Sequence, residues 1–175
     1  LSGYRSPHPV ASRLAERICD LTGAERDEVQ SLAYIWSGTV EGPARQAVAR
    51  VEKLWPSDDQ DWTSEVDVVA ISMGGLVARL AAAYPELRGE PGGKRLKIGT
   101  LYTLASPHRG ARLADWIRLD SACCSMKPGS EFLVALDEAF ASREYEVVPY
   151  AVLRDKWVGA KHGVGIIDIV ENRLV

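Results

Sequence analysis

Apolar positions recur along this chain in two rhythms. Val10, Leu14, Ile18 and Leu21 fall at helical spacing and predict a helix over residues 8–21. Ala44, Ala47, Val48, Val51 and Leu54 repeat that spacing over 42–54, and Pro56 marks the stop. Between these two stripes, SLAYIW at 31–36 reads as a short strand. Residues 66–71, VDVVAI, form the near-continuous apolar run of a strand buried on both faces. A helix over 74–84 closed by Pro85, strands over 98–104 and 147–153, and a closing helix over 166–174 follow. Strands alternating with helices predict an α/β fold, a mostly parallel sheet flanked by helices. In such sheets chemistry gathers beyond the carboxyl ends of the strands.

Residues 109–145 interrupt the alternation. They carry one stripe at Leu113, Trp116 and Ile117, a Pro-Gly turn at 128 and 129, and a second stripe at Phe132, Leu133, Leu136 and Phe140. This predicts a helical, lid-like insertion over the active edge of the sheet, inside a single domain spanning 1–175. Its helices serve as core cover, as a lid or acyl-binding wall, or as both.

Composition narrows the class. A chain of 175 residues with 46% apolar and 26% charged residues builds one globular domain with a real core. A net charge of -3 gives no electrostatic case for a nucleic-acid partner. The one basic stretch, KRLK at 94–97, lies beside PGG at 91–93 and reads as a solvated loop. No apolar run approaches the roughly 18 residues of a membrane span; the best candidate, 74–84, is cut by Arg79. Cys123 and Cys124 are adjacent and Cys19 is distant, so a disulfide scaffold is not expected, and no Cys/His spacing forms a metal site. The chain opens at Leu1 without a methionine, which leaves a removed or omitted leader open, along with the compartment.

The chemistry centres on VDVVAISMGGL at 66–76, where an apolar run stops at a serine and two glycines follow. A strand turning sharply into a helix strains the residue at the turn, and its neighbours must be small to avoid the helix and the next strand. That is the reason for the nucleophile elbow pattern G-x-S-x-G. Here it reads Ala70, Ile71, Ser72, Met73, Gly74, with alanine in place of the first glycine and Gly75 and Ala78 extending the small surface. The turn exposes the Ser72 hydroxyl and sets the Met73 N–H at a helix N-terminus, where it can bind a developing oxyanion. The structural alternative is a serine that only caps a buried helix.

SMGGLVAR at 72–79 resembles the elbow of α/β-hydrolase lipases and esterases. TLASPHRG at 103–110 is similar to the T-P-H-x-G segment after the next strand in those enzymes, and MKPGSEFL at 126–133 resembles, more loosely, their motif near the lid. Together these cover about half the chain. The resemblance implies an α/β-hydrolase fold and hydrolysis of carboxylic esters with no metal or organic cofactor.

An activated serine needs a histidine and an orienting carboxylate. The histidines are His8, His108 and His162. The α/β-hydrolase order of nucleophile, acid, histidine excludes His8 and favours His162. Between Ser72 and His108 only Glu86 and Glu90 are available, on a surface-like stretch, and the resemblance gives His108 a structural loop. The strand over 147–153 runs into Asp155, the first choice of acid, ahead of Glu131, Asp137 and Asp168. Only six residues separate Asp155 from His162, too few for a further parallel crossover. Either the last strand is absent and both residues share one loop, or a stretch between them is missing. By alignment with the family, in which a His-Gly pair precedes the second oxyanion donor, Ser2 and Gly3 place that donor at the Tyr4 backbone N–H. The sequence thus opens in mid-motif, and N-terminal strands of the fold are expected to lie outside it.

These residues define an expected serine ester hydrolase. Ser72 is the nucleophile, His162 the base and Asp155 its orienting acid; Met73 and Tyr4 supply oxyanion N–H groups. Trp116, Phe132 and Leu133 meet the acyl chain of a small-molecule or lipid ester. Two alternatives stand beside it: an acyltransferase on the same site, and a non-catalytic binding domain that kept the elbow without a working triad. Acyl length and oligomeric state are not legible.

Overall fold

The computed structural model describes residue 1 and residues 8–33, 39–110 and 126–150. Three strands, β1 (Val66–Ile71), β2 (Ile98–Leu104) and β3 (Glu146–Tyr150), form a parallel sheet in the order β1-β2-β3. Val68 to Ile71 pair with Leu101 to Leu104, and Thr100 to Leu104 with Glu146 to Tyr150, so the carboxyl ends of all three strands finish level. The helices are α1 (His8–Thr22), α2 (Glu41–Leu54), α3 (Gly74–Ala82) and α4 (Glu131–Phe140). None of these is long and apolar enough to cross a membrane.

Every residue of α3 is buried. The helix lies on β1 and β2 and is covered by α2 and α4. Small residues allow this close approach: Ala78, Ala81 and Ala82 lie in the core with Leu76, Val77 and Leu80, against Ala44, Ala47 and Val48 of α2. The helix ends at Ala82, two residues before the predicted stop, because a single 3-10 turn begins at Pro85. Its terminal carbonyls are satisfied by the buried Arg88, which donates to Ala81 O at 3.0 Å and Ala83 O at 3.4 Å while its Nε reaches Glu90. A cation at the carboxyl end of a helix also meets the favourable end of its dipole.

Four sequence expectations change. β1 does not bury both faces: Val68 and Ala70 are buried, Asp67 is exposed, and Val66, Val69 and Ile71 are half-buried. Residues 31–33 of the strand predicted at 31–36 carry no strand pairing, and 34–36 lie outside the described residues. Leu21, the last residue of the first stripe, is 69% exposed rather than buried. The KRLK stretch is no solvated loop. Lys94 pairs with Glu52 at 2.6 Å, Arg95 exchanges backbone hydrogen bonds with Asp61 and Thr63 and stacks on Trp62, and Leu96 is buried. These contacts lead the chain into β2 and set its register against β1.

On the edge of β1 away from β2, the Leu1 N–H donates to Val69 O at 2.7 Å, and Leu1 O accepts from Ile71 N at 3.0 Å. The backbone at Leu1 therefore lies beside Ala70, two residues short of Ser72. Below it, a cleft of about 630 Å³ runs between this edge and the inner faces of α1 and α2, lined by Leu14, Ile18, Val51, Trp55 and Val66. Ser72 is not among its lining residues. The predicted closing helix over 166–174 and the first stripe of the insertion, Leu113, Trp116 and Ile117, lie outside the described residues.

Candidate active site

The chain turns from β1 into α3 at a single residue. Ser72 has φ +52°, in the left-handed region that L side chains avoid, and its N–H donates to Leu104 O of β2 at 2.8 Å. Holding a residue with a Cβ there costs about 1–3 kcal/mol, an expense that persists only where the surroundings over-determine the backbone. The surroundings are tight: Ala70 is fully buried behind the turn, and Met73 is fully buried ahead of it. Met73 is the N-cap of α3, and its carbonyl accepts from Leu76 and Val77. The N–H groups of the first helical turn have no acceptor inside the helix and carry the positive end of its dipole. Ser72 itself is half-buried. A strained serine at a strand end, next to helix N–H groups, has the backbone geometry that the elbow pattern at 70–74 predicts.

Ala105 at φ +49° is the other non-glycine residue with positive φ among the described residues, and it sits at the neighbouring strand end. After it, SPHRG forms a compact loop. Ala105 N donates to Tyr150 O, His108 N to Ser106 O and Gly110 N to Pro107 O, all at 2.8–2.9 Å. Gly110 has φ +93°, and a Cβ there would lie 2.5 Å from Pro128 N. The second and third sequence motifs, far apart in the chain, therefore touch backbone to backbone. Beyond that contact Ser130 caps α4, its Oγ accepting from Leu133 N at 3.3 Å. Leu133, Leu136 and Phe140 are buried, and Phe132 is half-buried against the core.

His108 is fully buried, with Nε2 hydrogen-bonded to Thr103 Oγ1 at 3.0 Å. Burial pushes its imidazole well below the usual value of 6.5, and the Arg79 charge adds to the shift. It is a neutral structural histidine turned toward β2. Asp137, a weaker acid candidate, is committed to the buried Arg79, whose guanidinium also lies 4.7 Å from the Phe140 ring centre. Glu90 is held by Arg88. Tyr4, Trp116, Asp155, His162 and Asp168 lie outside the described residues. No group of three or more His, Cys, Asp or Glu among the described residues could hold a metal ion.

The depressed His108 value fixes a pH dependence of stability. Below about pH 6.5 the unfolded chain binds a proton at this histidine that the folded chain refuses, so stability falls as pH drops. The slope reaches about 1.4 kcal/mol per pH unit until the folded imidazole protonates. The urea midpoint should decline between pH 6.5 and 5, and His108→Gln, which cannot titrate, should flatten that decline. An unchanged decline in the variant would contradict the assignment.

Sequence reading missed three features of this site: the strain at Ala105, the Arg79–Asp137 pair, and the contact of Ser106 with Gly75. The tripeptide Ser106-Pro107-His108 was the available signal for the last. A family model described as the PGAP1-like alpha/beta domain matches residues 44–121. Among solved structures, the chain is similar to phospholipase PlaB from Legionella pneumophila in complex with thio-NAD. That likeness has 18% identity and a TM-score of 0.57, over 84% of this chain and 35% of that one. It is also similar to the mature lipase BlEst2 from Bacillus licheniformis, at 13% identity and a TM-score of 0.54, over 85% of this chain and 63% of that one. The chain thus spans about a third of the phospholipase and under two thirds of the lipase. No curated protein sequence matches it.

Proposed function

Proceeding from the α/β-hydrolase fold that these likenesses share with the chain, we propose that it is a serine hydrolase of lipase/esterase type. It cleaves carboxylic esters through an acyl-enzyme on Ser72. The observation that carries this reading is Ser72 at φ +52° between β1 and α3. In this reading Ser72 Oγ attacks the acyl carbon and its proton passes to His162. The tetrahedral oxyanion is held by the N–H groups of Met73 and Tyr4. His162 then protonates the leaving alcohol as the C–O bond breaks, and water repeats the sequence on the acyl-enzyme to release the acid. Asp155 keeps the imidazole in the reactive tautomer.

Several observations support the individual roles. Met73 caps α3 immediately after Ser72. Leu1 lies along β1 beside Ala70, two residues before Ser72, and Tyr4 follows it three positions later in the sequence. Removing His108, buried against Thr103, from the choice of base leaves His162 as the only histidine after the serine. Trp116 and Phe132 complete the proposal as the acyl wall of a lid-like segment, whereas Leu133, expected to join them, is buried in the core and anchors the helix instead. A phospholipase and a lipase among the structural neighbours support a lipid ester as the substrate class.

Product analysis tests the reaction type. With p-nitrophenyl acyl esters and an excess of a small alcohol, free acid should be the main product. Accumulation of the new ester instead would assign acyl transfer on the same serine. No turnover of any chain length by a folded protein would leave only a binding domain.

A further inference from the structure

We propose that Ser106 and His108 are positioning residues for the oxyanion-binding N–H of Met73, acting through the bare backbone of Gly75; the inference rests on the serine-hydrolase reading of Ser72. Gly75 lies in the first turn of α3, two residues after Met73. A Cβ at Gly75 would stand 2.4 Å from Ser106 Oγ, 2.6 Å from Ser106 Cβ and 3.2 Å from His108 Cε1. The 105–110 loop is therefore pressed directly against the helix turn that carries the oxyanion donor. The loop is fixed in turn: His108 Nε2 is tied to Thr103 Oγ1 at 3.0 Å, and Ala105 N to Tyr150 O at 2.8 Å. On its other side the elbow is stitched to the same strand end by Ser72 N donating to Leu104 O. Ser72 and Gly75 thus rest on Leu104 and Ser106, on either side of Ala105 in one support.

This support departs from what stability alone would select. Ser106 Oγ and His108 Nδ1 are both buried without a hydrogen-bond partner among the described residues. A buried polar atom left unpaired is less favourable than an apolar group of the same shape. Two unpaired polar atoms and two strained backbones, at Ser72 and Ala105, therefore gather within one small region at the carboxyl ends of β1 and β2. Oxyanion donors stabilise a transition state only when held within a few tenths of an ångström of the developing charge. A serine in van der Waals contact with a glycine backbone, backed by a histidine locked to the sheet, supplies that restraint. Because the restraint acts on a group that meets the substrate in the transition state, its loss lowers kcat and leaves KM near its original value.

Steric complementation tests this. Wild type and variants are compared by kcat per active site, with sites titrated by a fluorophosphonate, so that misfolded molecules drop out of the count. Gly75→Ala drives a methyl into Ser106 and should lower kcat about 10²–10³-fold with KM within about threefold. Gly75→Ala combined with Ser106→Gly removes both closest atoms and should recover kcat to within about tenfold of wild type. His108→Leu should lower kcat, and His108→Gln, whose amide nitrogen can still reach Thr103, should restore most of it. If Gly75→Ala yields no folded protein, the double variant and the two His108 variants decide by the same criterion. Wild-type kcat per site in Gly75→Ala, a folded double variant without recovery, or equal activity of His108→Leu and His108→Gln overturns the positioning role while Ser72 stays the nucleophile. A wild type without a titratable Ser72 overturns both.

Discussion

Ser72→Ala should abolish ester hydrolysis while leaving the fold intact. In serine hydrolases that work through a triad, loss of the nucleophile lowers kcat about 10⁶-fold, and the remaining rate comes from binding and the oxyanion site. The hydroxyl donates no hydrogen bond to the structure among the described residues, and alanine occupies the same left-handed backbone as serine does, so the thermal midpoint should stay within error. Ser72→Gly separates strain from chemistry. Glycine adopts φ +52° without the Cβ clash, so this variant should be inactive yet more stable, by about 1 kcal/mol. An inactive Ser72→Gly of lowered stability would mean that the elbow is not strained as described. Substantial hydrolysis by either variant would move the nucleophile elsewhere.

The second large effect concerns the proposed acid. An aspartate that only orients an imidazole can be replaced isosterically by asparagine, which then stabilises the wrong tautomer. Asp155→Asn should lower kcat about 10⁴-fold, and His162→Ala about 10⁶-fold. The double variant should be little worse than His162→Ala alone, because triad members act as a unit. His108→Gln should cost far less than His162→Ala, since the His108 imidazole faces Thr103 and is buried away from solvent. Near-normal activity of Asp155→Asn would place the acid elsewhere. Asp137 is a poor substitute because its carboxylate is held by Arg79.

What the sequence made legible follows from how local each signal is. The spacing of Ala44, Ala47, Val48 and Val51 reports a helix face within one turn or two, and α2 forms there with those residues buried. The elbow was legible for the same reason: a strand, a serine and small residues in eleven positions describe one strained turn. Features made by distant partners were not. Arg79 looked like an interruption of an apolar run, yet it is buried in α3 because Asp137, fifty-eight positions later, and the Phe140 ring receive it. The KRLK stretch looked solvated because its acceptors, Glu52 and Asp61, lie on other elements. Gly75 looked like part of a small-residue surface, and only the folded loop reveals that Ser106 makes glycine obligatory there. β1 read as doubly buried from its composition, although burial depends on which elements cover each face.

The most direct measurement is the site of reaction with a fluorophosphonate, read by peptide mass spectrometry on the intact chain. The expected result is one adduct per molecule, on the peptide containing Ser72, absent in Ser72→Ala and slowed in Asp155→Asn. A folded wild-type chain that takes up no phosphonate, or an adduct that persists in Ser72→Ala, would contradict the assignment of Ser72 as the nucleophile.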